Sequence, residues 1–163
     1  MPSAIDPRHY PPRQPRRALN EPLRGSPRSR LRAVPELDPR ARFGPQYAEI
    51  TRLIEAVEHV TVEQSQVIER EWYQHRGRRR FAARSAASSV AAKSDRLICQ
   101  IDARQMAWSS SDLPCRDAAG DAAHALAVRD LAGPIFSQGD YDELVGPWVR
   151  VMGPLHPDDV QPA

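Results

Sequence analysis

Ten of the sixteen prolines fall in the first 45 residues, one every few positions from Pro2 to Pro45. Each X-Pro step pushes the preceding residue out of the α region, and proline itself cannot donate to a helix or a sheet ladder. No helix of useful length fits there, and too few apolar side chains are present to offset the entropy of ordering. Segment 1–45 is therefore expected to be a disordered, polyproline-like tail rich in arginine. The fold must come from an α-helical domain over 46–153, followed by an acidic, frayed end over 154–163.

Charge divides the chain at nearly the same place. Residues 1–44 carry ten arginines against Asp6, Glu21, Glu36 and Asp38, a net charge of +6, whereas residues 45–163 carry 13 basic and 17 acidic side chains, a net charge of −4. Segregation of this kind points to an anionic partner for the basic part. Arginine outnumbers lysine 22 to one, Lys93 being the lone lysine. A GC-rich coding sequence accounts for that preference, but not for the clustering of the arginines.

From Tyr47 the pattern becomes helical. Tyr47, Ile50, Leu53, Ile54, Val57 and Val60 recur at spacings of three and four, with charged residues between them, which predicts an amphipathic helix ending near His59. Thr61 and Gln64 form a capping-box pair that opens a second helix, expected to run from Val62 to about Lys93 with Gly77 as a weak point. Its "AARSAASSVAA" portion has a small-residue face that permits close approach of a neighbour. A third helix is expected from about Arg96 to Ser109, with Leu97, Ile98, Ile101 and Met106 on or near one face. A fourth follows in "CRDAAGDAAHALAVRDLAG". The last starts after the cap Ser137 and carries the apolar stripe Tyr141, Leu144, Val145, Trp148, Val149 and Met152, interrupted by Pro147. No run alternates like a strand, so the expected class is all-α, a small bundle of about four to five helices.

The stretches "RDAAGDAAHALAVRDLAG" and "YDELVGPWVRVMGPLHPDD" resemble small alanine-rich helical proteins of high-GC actinobacteria. The resemblance is compositional apart from "ALAVRDL" and the Gly-Pro-Trp step. It implies an all-α fold and a bacterial source, and carries no activity with it.

Catalytic signatures are missing from the sequence: no G-x-S-x-G, no H-E-x-x-H, no glycine-rich phosphate loop and no E-x-x-H pairing. Glu55 and His59 stand one helical turn apart, a spacing commoner in surface pairs than in metal sites. Cys99 and Cys115 are too few for a disulfide framework, though Cys115 at a helix start beside Arg116 has a setting that favours thiolate. No catalytic residue, metal or cofactor is expected. The N-terminus "MPSAIDPRHYPPRQPRR" lacks an apolar core, and no stretch approaches the roughly 20 apolar residues of a membrane span. A cytoplasmic, non-membrane protein is the expectation.

What remains is binding. Arg76, Arg80 and Arg84 lie at i, i+4 and i+8 with Arg79 beside them, a stripe able to follow a phosphate backbone, and Tyr73, His75 and Phe81 interleave aromatic rings. Arg13, Arg16 and Arg17 of the tail are candidates to act with them. A solvated face paired with Glu69 and Glu71 would account for the same stripe. A helix-turn-helix is disfavoured because "VEQSQVIERE" is acidic where a phosphate should sit. Tyr141, Trp148 and Met152 would form a protein-binding or homo-oligomer surface if their stripe were exposed, whereas the three tryptophans would otherwise centre the core. The leading expectation is a non-enzymatic helical protein that binds another macromolecule with its basic tail as contact arm; nucleic-acid binding is the alternative.

Overall fold

The computed structural model describes residues 38–159. Seven α-helices and one 3-10 turn make up this part, and among the described residues there is no strand. In chain order they are α1 (Pro39–Phe43), α2 (Tyr47–Glu58), α3 (Val62–Gln74), α4 (Arg76–Ser89), α5 (Ser94–Ser109), α6 (Arg116–Ala127), the 3-10 turn (Arg129–Leu131) and α7 (Gln138–Met152). The all-α class is as expected, but the helix number is seven and not four to five.

Two differences account for the higher number. The helix expected over 62–93 breaks at His75, whose backbone (φ −124°, ψ 37°) leaves the helical region two residues before Gly77. The break is held by Arg79, whose Nη1 donates to the Trp72 carbonyl, one of the acceptors that a helix C-terminus leaves without a partner. The other addition is α1, inside the segment assigned to the tail. Asp38 accepts from the Arg40 amide, Pro39 occupies the first helical position, and Gly44 closes the turn at φ 82°. Phe43 is thereby buried among the core residues, and α1 packs on α2 and α5.

The centre of the fold is α6, which packs against α2, α3, α4, α5 and α7, most extensively α5. Every residue from Ala118 to Val128 is buried. A helix surrounded on all sides needs small side chains if its neighbours are to approach closely, and α6 supplies Ala118, Ala119, Ala122, Ala123, Ala125 and Ala127. Larger residues complete the core from the outside: Ile50, Leu53, Ile54 and Val57 of α2, Ile68 of α3, and Tyr141, Leu144 and Trp148 of α7. Ser137 and Asp140 form a capping box at the start of α7, with Phe136 buried just before it.

Several large apolar side chains lie elsewhere than expected. Ile98 and Ile101 are exposed, because α5 turns Ala103, Met106 and Ala107 into the core that holds the alanines of α6, and Cys99 toward the Ala41 carbonyl of α1. Phe81 is 68% exposed, since α4 buries Ala82, Ala86 and Arg79 against its neighbours. The segment expected to fray after Gly153 forms a turn as far as Asp159. There Asp159 accepts from the amides of Leu155 and His156 (2.9 and 2.8 Å) and from the Tyr141 hydroxyl (3.0 Å), and Leu155 packs on the core.

His124 of α6 is buried, with neither ring nitrogen hydrogen-bonded among the described residues. Burial, with the nearby Arg104 charge adding to it, pushes its pKa from 6.5 down to about 3. The unfolded chain then binds a proton between those values that the folded chain refuses, so stability falls as pH drops below about 6.5. Replacing His124 by leucine should remove this dependence. Between pH 6.5 and 5 the natural protein should lose about 1.6 kcal/mol more stability than His124→Leu in urea unfolding; parallel losses would show that His124 is not the group that titrates.

Candidate functional site: a basic cleft

Three polar residues interrupt the small-residue surface of α6 on one side: Asp117, Asp121 and His124, at i, i+4 and i+7. On α5, Gln100, Arg104 and Trp108 form a second stripe at spacings of four. Asp117, Asp121, Arg104 and Trp108 face a cleft of about 590 Å³ whose other wall is built from Trp72 of α3 and Arg76, Arg79, Arg80 and Ala83 of α4. Ile101 and Gln105 complete the α5 side.

The carboxylates fix the walls. Asp121 is buried and accepts from the Trp72 indole N–H at 2.8 Å, with Arg104 Nη2 at 3.7 Å. Burial raises its pKa, and the Trp72 hydrogen bond opposes that shift. Asp117 accepts from the Trp108 indole N–H at 3.0 Å, and the Arg116 guanidinium sits over the Trp108 ring, 4.0 Å from its centroid. Both tryptophans are thus held in place by acids that the same helix carries one turn apart.

Arg79 is the unusual member. It is 2% exposed, its Nε has no hydrogen-bond partner, and it forms no ion pair among the described residues. Burial lowers its pKa, against the more distant favourable charges of Glu143, Asp121 and Glu71. Arg76 and Arg80 stand exposed on the same wall, and Arg104 reaches in from α5 with its side chain 54% exposed. Four arginines against two carboxylates leave the cleft with a net charge of +2. A water-filled concavity of one charge sign concentrates counter-ions of the other.

The expected arginine stripe is therefore divided: Arg76, Arg79 and Arg80 enter the cleft, whereas Arg84 is exposed outside it. Arg13, Arg16 and Arg17 lie outside the described residues. Tyr141 and Trp148 are buried in the core and Met152 is half-buried beside it, so that stripe is not an open surface. Of the three tryptophans only Trp148 is central; Trp72 and Trp108 line the cleft. Sequence reasoning missed Arg104, Asp117 and Asp121. For the two aspartates the signal was available as the polar stripe of an otherwise alanine helix, since a carboxylate amid buried alanines needs a partner.

Other candidates resolve simply. His59 places Nδ1 3.0 Å from the Glu55 carbonyl oxygen, a backbone contact within its own helix. Among the described residues no group of three or more His, Cys, Asp or Glu is arranged to hold a metal ion, and no helix is long and apolar enough to cross a membrane. Cys115 is buried and its amide donates to Ser65 Oγ at 3.0 Å; burial raises its thiol pKa, and that of Cys99 too. Comparison with protein-family models, with curated proteins and with solved structures finds no match.

Two outcomes follow for this site. Asp121→Ala strands the Trp72 N–H and should cost about 1–3 kcal/mol in denaturant unfolding, whereas Asp121→Asn keeps the acceptor and should cost less; equal costs would mean that the indole hydrogen bond contributes nothing. Neither thiol should react with a disulfide reagent at the rate of a free cysteine, and Cys115 should lag Cys99; rapid labelling of Cys115 in the folded protein would restore it as a reactive residue.

Proposed function

We propose that this protein acts by binding an anionic macromolecule and not by turnover, and that nucleic acid is the partner which the basic cleft fits best. The observation that carries this reading is the convergence of Arg76, Arg79, Arg80 and Arg104, from two helices, on one concavity walled by two tryptophans. Guanidinium groups supply the phosphate contacts, and aromatic rings in a basic groove suit an unpaired strand. Tyr73, exposed with the Arg76 guanidinium 5.8 Å from its ring centroid, extends the aromatic surface, whereas Phe81 faces a separate concavity against α7. Residues 1–37 add eight arginines against three acids and are assigned the role of a contact arm.

Exposed Ile98 and Ile101 on α5 favour a second reading, a protein partner or a second copy of the chain.

The test is binding of labelled single- and double-stranded nucleic acid across a salt series. It should use the full chain, a chain starting at Asp38, and the full chain with Arg76, Arg80 and Arg104 changed to glutamine. Starting at Asp38 keeps α1 and its buried Phe43. Affinity for single strands should fall steeply with salt, with a log–log slope of about −2 or steeper in the full chain, and the triple variant should flatten it. Salt-independent binding, or none by any of the three, would reject nucleic acid and leave the protein-partner reading.

A further inference from the structure

The arginine at the bottom of the cleft asks for more than a strand passing along the rim. Arg79 is almost wholly buried, keeps Nε without a partner and has no carboxylate paired with it among the described residues. The carboxylates of Glu143, Asp121 and Glu71 favour its charge only from beyond ion-pair distance, and a buried guanidinium without a direct anionic partner remains costly. Its Nη1 is already given to the Trp72 carbonyl, which fixes the group where α3 meets α4. An anion entering the cleft meets Arg79 at its floor, with Arg76 and Arg80 on the same wall and Arg104 opposite.

We propose that the cleft is a seat for one phosphate monoester with its attached aromatic base, so that the ligand is a nucleotide unit, either a free mononucleotide or the 5′-phosphorylated end of a strand. This rests on reading the cleft as the nucleic-acid site. Charge and size both match. A phosphate monoester is close to a dianion at neutral pH, its second pKa being about 6, and the cleft carries a net +2. The volume of about 590 Å³ lies within the range of sites that enclose one small ligand. A chain-internal phosphodiester has a single charge and continues on both sides, so it can lie along Arg76, Arg80 and Arg104 but is poorly shaped to reach Arg79.

The base has its place too. Trp72 and Trp108 both line the cleft, and their indole N–H groups are occupied by Asp121 and Asp117. Arg116 covers one face of Trp108, so what remains for a ligand is the Trp72 ring and the other face of Trp108, apolar surface that receives any base without reading its edge. The seat should recognise the phosphate strictly and the base loosely.

Tryptophan emission and calorimetry of the full chain at low salt test this with four probes: adenosine 5′-monophosphate, adenosine, and a short oligothymidylate with either a 5′-phosphate or a 5′-hydroxyl. The monophosphate should bind and change the emission, with adenosine at least about 30-fold weaker, and the 5′-phosphate should tighten the oligonucleotide about tenfold. Arg79→Met and Arg104→Gln should each weaken the monophosphate about tenfold or more, whereas Arg84→Gln, outside the cleft, should not. If Arg79→Met fails to fold by circular dichroism, Arg104→Gln, altered at a half-exposed side chain, carries the comparison alone. Equal binding of the two oligonucleotides with none of the monophosphate would overturn the seat while leaving the strand reading intact. Equal binding of adenosine and its monophosphate, or no binding by any probe, would overturn it as well. Binding of the monophosphate without either oligonucleotide would uphold the seat and remove the strand.

Discussion

Everything in this molecule depends on how closely other helices can approach α6. A helix that packs against five neighbours cannot carry large side chains on all its faces, and here six of the eleven buried residues from Ala118 to Val128 are alanine and one is glycine. Close packing of backbones replaces the interlocking of large side chains as the source of dispersion energy. The large residues are displaced to the surrounding helices, where Ile50, Leu53, Ile54, Leu144 and Trp148 fill the space around the central rod. The same constraint decides which face of α5 turns inward: its alanines go to α6 and its isoleucines to solvent.

The cleft is a consequence of that arrangement. Where Gly120 lies on α6, an added Cβ would meet Arg104 and Trp108 at 3.5 Å, so the α5 wall stands close against α6 along this line. Asp117 and Asp121 flank that glycine and hold one indole each, one from α5 and one from α3. The break at His75 then turns the start of α4 so that Arg79 points inward. Arg76, Arg79, Arg80 and Arg84 all lie on α4 beyond the break; the first turns of α4 line the cleft, and Arg84, one turn further on, does not.

Among the described residues, four of the six buried polar or charged residues lie on α4, α5 and α6. Asp121, His124, Arg79 and Gln100 are all buried, and His124, Arg79 and Gln100 each keep at least one polar atom without a partner among the described residues. A fold stabilised only by packing would gain from apolar residues at these positions.

The sequence by itself determined the helical class, the start of most helices and the small-residue character of the centre. These follow from local physics: the periodicity of Ile50 to Val57, the capping boxes at Thr61 and Ser137, and the alanines of α6 all act within a few residues of each other. Tertiary structure alone decided that α5 would turn its alanines inward and its isoleucines outward, that Phe43 would anchor a short helix preceded by prolines, and that Arg79 would be buried while Arg84 was not. Those outcomes depend on contacts between elements far apart in the chain, such as Trp72 with Asp121, 49 positions away. Local propensity carries no information about such partners, so the stripe of arginines was legible in the sequence and the cleft that divides it was not.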